Sequence, residues 1–286
     1  MKVHVLFLLA FICLLSACWK EETVVIPNNE PPIVNNVPTI KIKNYVNRLF
    51  IDLLGREPLD SEIDAEVQAL RDADLVESAR ESLIVKLQTS TDFIEGDTSY
   101  QRAYYQHLYN LGKIRCLEGA SDATIFEGFS GIDNEEDSLR LVAALNSRID
   151  MQNQEIVVAE MFGRMIHCFT YDIINMNTTN FVNASFDNLL WRFPTNEEFT
   201  AGFNMVENET MQPFLGSTGT NRTEYVDIMI NSREMYEGLI IWVYQQSLQR
   251  FPTTEETFVL LEDFYTHKDL RLVQRAVMVT DEYANF

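Results

Sequence analysis

Apolar side chains recur along most of this chain at helical spacing. Val46, Leu49, Phe50, Leu53 and Leu54 fall at i, i+3, i+4, i+7 and i+8, which is one face of a helix. Val158, Met161, Phe162, Met165, Ile166, Phe169 and Ile173 mark a longer one. Shorter stripes run through Leu139, Val142, Leu145 and Ile149, through Met235, Leu239, Ile240 and Val243, and through Val273, Ala276 and Val277. Each stripe predicts a helix with that face in the core. Alternating strand patterns are absent after residue 44, so the body is expected to be all-α. Tyr100, Tyr104, Tyr105 and Tyr109 share another helical stripe, which favours core over a glycan-stacking surface.

The first residues break this rhythm. Lys2 and His4 form a short basic start, Val5 to Leu15 is almost unbroken apolar sequence, and Leu15-Ser16-Ala17-Cys18 closes it. The run is shorter than the ~20 residues that span a bilayer. Ordinary signal cleavage does not require cysteine as the first mature residue. Residues 1–17 therefore read as a lipoprotein signal peptide, with Cys18 lipidated (palmitate among its acyl groups) as the outer-membrane anchor. Trp19-Lys20-Glu21-Glu22 resembles the surface-export signal of Bacteroidota lipoproteins, which implies that Lys20, Glu21 and Glu22 direct the chain to the cell surface. A charged tether on a protein that stays on the periplasmic face is the alternative.

Residues 18–44 read as a lipidated linker. Pro27, Pro31, Pro32 and Pro38, half of the eight prolines, fall there among Asn29, Asn35 and Asn36. That density favours extended chain, whose ~3.1 Å per residue gives a reach of up to ~60 Å. Thr23 to Ile26 would pair as a strand on a partner in a weaker reading. The formal charge is −21, with 43 acidic side chains. Such a body repels nucleic acid and anionic head groups. Cys116 and Cys168 are the cysteines of the body. Outside the cytoplasm they form one disulfide or stay as two buried thiols.

Three prolines organise the helices. The stretch from Tyr45 to Glu62 aligns with Phe181 to Glu198 at a constant offset of 136 residues (192 − 56), with eight of eighteen positions identical. Among them are Arg56/Arg192, Pro58/Pro194 and Glu62/Glu198. A third copy runs from Leu248 to Glu256 and contains Arg250, Pro252 and Glu256. Proline pushes the preceding residue out of the α region, so a helix ends there. Thr195 with Glu198 and Thr253 with Glu256 then form capping boxes that start the next helix. In the first copy Leu59 stands at the threonine position, so Asp60 or Ser61 is expected to cap. An arginine-to-glutamate pair across each turn is expected, and the glycine of the first copy, Gly55, is replaced by Trp191 and Gln249, which puts the left-handed helix end there in doubt. Each copy closes on a small polar residue and an acid ahead of a bulky apolar one: Ser90 to Phe93, Ser232 to Met235, Thr280 to Tyr283. The units are placed at about residues 45–96, 181–238 and 242–286, with a divergent insert at 97–180.

This unit resembles the LGR-x-P helical repeat, a domain of unknown function in bacterial secreted and surface proteins. Leu54-Gly55-Arg56-Glu57-Pro58 carries the resemblance most fully. Leu53 to Glu62 is also similar to the opening of a domain found beside c-type cytochromes in environmental bacteria. No Cys-x-x-Cys-His accompanies it, so no haem follows. The resemblance implies an irregular multi-helix array of repeats with R-x-P turns, and no activity.

Catalytic constellations are missing from the sequence. His107, His167 and His267 are isolated from metal-spaced partners. Gly128-Phe129-Ser130-Gly131 is not a nucleophile elbow, because its second glycine comes one position early. The acidic run from Asp133 to Asp137 lacks the spacing of a calcium loop and reads as a helix N-terminus. The expectation is a non-enzymatic lipoprotein without cofactor or metal. It is read as a scaffold or accessory subunit of an envelope complex serving transport, secretion or motility, with protein partners. The alternative is a nutrient-capture lipoprotein that binds glycan or peptide through Tyr104, Tyr105, Trp191 or Trp242.

Overall fold

Pro38 marks where the helical body starts. In a computed structural model, residues 37–94, 98–127 and 134–286 are described. Pro38 supplies an extended N-cap (φ −60°, ψ 144°) and helix α1 (Thr39–Leu54) follows directly. The linker therefore ends six residues before residue 44, because Ile42 already belongs to the buried face of α1.

The first unit continues with α2 (Asp60–Asp72) and α3 (Glu77–Thr89), and the insert supplies α4 (Tyr100–Cys116), α5 (Asp122–Glu127), α6 (Glu135–Gln152), α7 (Val158–His167) and α8 (Phe169–Asn175). The second unit contains α9 (Thr178–Leu190), α10 (Asn196–Asn208) and α11 (Arg222–Asn231). Helix α12 (Arg233–Leu248) runs from the second unit into the third, which continues with α13 (Thr254–His267), α14 (Leu270–Met278) and the single turn α15 (Asp281–Ala284). The body is an all-α multi-helix array. Between α10 and α11 lies a small hairpin, β1 (Gln212–Phe214) paired antiparallel with β2 (Ser217–Gly219). It is too short to show as alternation in the sequence.

One core runs through all three units. Helix α12 packs on α9, α13 and α14; α4 packs on α1, α3, α6 and α7; and α14 and α15 return to α3 and α1. The last helices thus seal against the first. Tyr45 contacts Tyr283 edge-on at 6.0 Å and Phe286 at 5.5 Å, and Tyr283 Oη donates to Asp52 at 2.8 Å.

Most stripes are buried as their spacing implies, with two exceptions. On α6 it is Leu141, Ala144, Ser147 and Met151 that face inward, while Leu139 is 62% exposed and Ile149 48%. Small Ala144 and Ser147 bring α6 close to its neighbours, so the core uses the face with less apolar volume. The long stripe from Val158 to Ile173 is two helices rather than one. Cys168 is extended (φ −83°, ψ 155°) between α7 and α8, which shifts the helical phase and leaves Ile173 exposed.

The three helix ends before the R-x-P turns share one geometry. Gly55 (φ 71°), Trp191 (φ 53°) and Gln249 (φ 56°) are all left-handed. The glycine is thus not required for the turn to form, since copies two and three end their helices left-handed without it. Gln249 compensates in part by donating from Nε2 to the carbonyls of Gln245 (3.0 Å) and Gln246 (3.2 Å). Gln249→Gly is therefore expected to be neutral to slightly stabilising. Gln249→Val, which adds a β-branch at positive φ and removes both bonds, should lose about 2 kcal/mol. Thermal unfolding that ranks the two variants in the opposite order would contradict this.

Candidate functional site

The three R-x-P turns fold into the same ionic clamp. Arg56 Nη1 and Nη2 meet Glu62 Oε2 and Oε1 at 2.8 and 2.9 Å. Arg192 meets Glu198 at 2.8 and 2.7 Å. Arg250 meets Glu256 at 2.9 and 2.7 Å. Each arginine also donates from Nη1 to the carbonyl of the next residue, Glu57, Phe193 or Phe251. The proline holds that carbonyl in place by ending the helix, and the glutamate sits at the third position of the following helix.

Each glutamate works twice, because it also caps. Thr195 N–H donates to Glu198 Oε2 at 2.8 Å, and Glu198 N–H donates to Thr195 Oγ1 at 3.3 Å. Thr253 and Glu256 repeat this at 2.7 and 3.2 Å. The first copy keeps only half of the box. Leu59 is the N-cap and its N–H donates to Glu62 Oε2 at 2.7 Å, so neither Asp60 nor Ser61 caps. Leucine has no side-chain acceptor to return the bond.

The closing motifs complete the clamps, a link not visible in the sequence. Glu234 accepts from Arg192 Nε at 2.9 Å, and Glu282 accepts from Arg250 Nε at 2.7 Å. Ser232 and Thr280 cap the following helices, and Met235 and Tyr283 are buried, as the closing pattern implies. Each of these two arginines is thereby tied to the first turn of the third helix further on, Arg192 to α12 and Arg250 to α15. The first copy departs from this. Phe93 is 77% exposed and does not dock; Tyr100 takes its place, packing edge-on to Phe50 at 5.8 Å and donating to Glu62 Oε1 at 2.8 Å. The signal that could have found Glu234 and Glu282 was the acid recurring in each close.

These pairs set the acid behaviour of the glutamates. Hydrogen bonds from Arg192 and Arg250 hold Glu198 and Glu256 down at about 2. Burial pushes Glu62 up, but Arg56, the Leu59 amide and Tyr100 outweigh it and leave the group lowered. A carboxylate depressed on folding contributes stability that is present above its ordinary value of 4.5 and lost as the pH falls towards 2. The whole-protein charge relaxes over the same range, so the clamp is best read as a difference. Glu256→Gln should melt below the wild type at pH 6, with the gap closing as the pH approaches 2. A gap that is constant with pH would contradict the assignment. His167 has the opposite charge type but the same direction. Burial, then Arg140 and Arg222, holds it down at about 3 against an ordinary 6.5, so its contribution fades from pH 6.5 downward.

The aromatic residues proposed for ligand stacking are mostly packed. Tyr104 donates to Gln274 Oε1 at 2.7 Å and meets Tyr105 edge-on at 5.1 Å. Trp242 packs edge-on to Phe162 at 5.3 Å. Trp191 donates to Gln245 Oε1 at 3.1 Å beneath the Arg115 guanidinium. The four do not form one platform. Tyr104 and Tyr105 line a cleft of about 380 Å³ with Met151, Ile156, Lys268 and Arg271, whereas Trp191 and Trp242 lie together elsewhere, 6.4 Å apart.

Cys116 and Cys168 are both free and buried, so the disulfide alternative is not realised. Cys168 Sγ instead donates to the Met165 carbonyl at 3.1 Å. Burial raises both thiols well out of the reactive range. Asn134 caps α6 by accepting from the amides of Glu136 and Asp137 at 2.7 and 3.1 Å, which gives this acidic stretch a helix-starting role. Cys18, Lys20, Glu21, Glu22, Asp133 and the Gly128–Gly131 segment lie outside the described residues. Among the described residues no helix is long and apolar enough to cross a membrane, and no cluster of three or more His, Cys, Asp or Glu is placed to hold a metal ion. No protein-family model, curated protein or solved structure matches the chain.

Proposed function

We propose that the protein is a lipid-anchored, non-catalytic scaffold or accessory subunit of an outer-membrane complex, displayed on the cell surface. Cys18 is the anchor, Lys20-Glu21-Glu22 the export address, and the body a set of LGR-x-P repeats. The observation that carries the scaffold reading is apolar surface. Phe251 (64% exposed), Phe258 (75%) and Val259 (68%) stand beside the third turn, and Leu139, Val142 and Ile149 line the outer face of α6. Large exposed apolar groups gathered in this way mark contact surfaces for other proteins. The clamp arginines support the same reading, since their guanidinium groups are bonded to internal carboxylates and carbonyls rather than offered to a ligand.

The cleft beside Tyr105 favours the second reading, capture of a glycan or peptide. The Lys268 ammonium has no hydrogen-bond or ion-pair partner among the described residues, and about 380 Å³ suits a small ligand. Immunoprecipitation from mild detergent separates the two. The scaffold should bring down envelope proteins in stoichiometric amount; recovery of the chain alone would favour capture. Metabolic labelling with palmitate, lost in Cys18→Ala, and protease shaving of intact cells test the anchor and the address. A chain that is unlabelled, or untouched until lysis, would remove the corresponding part.

A further inference from the structure

The repeat contains its own control for the surface of the third unit. Aligning Arg56 with Arg250 and Glu62 with Glu256 makes Asp64 the counterpart of Phe258, Glu57 of Phe251, Asn47 of Ile241 and Lys43 of Glu237. In the first unit this surface is polar and bridged, with Lys43 Nζ 3.2 Å from Asp64 Oδ1. The left-handed helix end and the two-pronged Arg–Glu pair are shared with the third unit, so the turn itself does not require apolar residues there. Yet the third unit replaces the bridge with an open groove of about 430 Å³, floored by Ile241 and Leu261 and walled by Phe251, Pro252 and Phe258. Holding two phenylalanines 64% and 75% exposed at such a place has no structural return.

One charge in the groove specifies the occupant. Arg233, at the rim, is paired with Glu262 at 3.1 Å. Glu237 lies half-buried between the apolar walls and has no hydrogen-bond or ion-pair partner among the described residues. An unpaired carboxylate beside apolar walls calls for a cation carried on an apolar segment. A second copy of this chain, at −21, brings the wrong overall charge. We propose that this groove docks an amphipathic helix of a partner protein, with apolar residues three to four apart entering between Phe251 and Phe258 and a Lys or Arg meeting Glu237. The mode is helix-in-groove recognition, and it rests on the scaffold reading above.

The test is photo-crosslinking in intact cells, with p-benzoylphenylalanine placed at position 258 of the full chain and, as a control, at position 64. The expected result is a crosslink from 258 alone, mapped by mass spectrometry to a basic amphipathic segment. Glu237→Lys should lower its yield about tenfold, the equivalent of about 1.4 kcal/mol. Because Glu237 is half-buried and unpaired, this variant is expected to fold; equal melting temperatures confirm that the loss is local. Crosslinks to a second copy, to an acidic segment, or equally from position 64 would overturn the proposal, as would an absence of crosslinks or a yield unchanged by Glu237→Lys. Envelope partners that still co-purify when position 258 crosslinks to nothing would remove this groove and leave the scaffold reading standing.

Discussion

Gly238→Ala is expected to lower unfolding free energy by about 2 kcal/mol, although alanine is the better helix former. Gly238 lies inside α12, where the exchange alone would favour alanine by about 1 kcal/mol. The sign is decided by what a Cβ would meet. It would lie 2.4 Å from the Leu189 carbonyl oxygen, 2.9 Å from Trp191 Cε3 and 3.3 Å from Leu190 Cα. Two of these are backbone atoms at the C-terminus of α9, which cannot rotate away. Relief requires moving the α9 end, and that end positions Trp191 and Arg192 in the second clamp. Overpacking of this kind costs about 1–3 kcal/mol, and more where backbone must shift. Chemical denaturation should show a lower midpoint at unchanged slope. A neutral or stabilised variant would show that α9 and α12 are not in backbone contact.

Arg56→Ala should cost more, about 3 kcal/mol. The Glu62 side chain is only 8% exposed and is placed by Arg56, by the Leu59 amide and by Tyr100 Oη. Removing the arginine leaves that carboxylate buried without its counter-ion, which is worse than having no pair at all. Two companions make the claim specific. Arg56→Lys retains the charge but not the two-pronged geometry and should recover part of the loss. Adding Glu62→Gln to Arg56→Ala should be less damaging than the sum of the single changes, because the stranded charge is gone. Additive losses would mean that the pair is not coupled. The matching clamps at Arg192 and Arg250 are more exposed, so single changes there should cost less.

The R-x-P turns were legible because their chemistry is local. Proline excludes helix at the residue before it, and a threonine with a glutamate three positions on starts the next one, so the turns at Pro194 and Pro252 follow from the sequence alone. Burial on α1, α12 and α14 was legible for a similar reason, since the apolar residues there outnumber any competing face. What escaped depends on distant partners. Leu139 and Ile149 form as good a stripe as any, but Ala144 and Ser147 win the inner face of α6 because neighbouring helices need close approach. Trp191 and Gln249 look unsuited to a left-handed helix end, yet the surrounding clamp imposes it. Glu234 and Glu282 read as ordinary helix-starting acids until the fold brings them to Arg192 and Arg250. The groove at Phe258 was hidden for another reason: its significance emerges only when the first and third units are compared position by position in three dimensions.

Native size in the envelope is the sharpest check on the proposed role in holding other proteins. Membranes extracted in mild detergent and sedimented through a gradient should carry the chain in a species far heavier than a single chain in its micelle. The same species should shift towards the single-chain position when Phe251 and Phe258 are both replaced by the polar residues of the first unit, Phe251→Glu and Phe258→Asp. Wild-type protein that sediments as a single chain, with its envelope otherwise intact, would rule out the scaffold role.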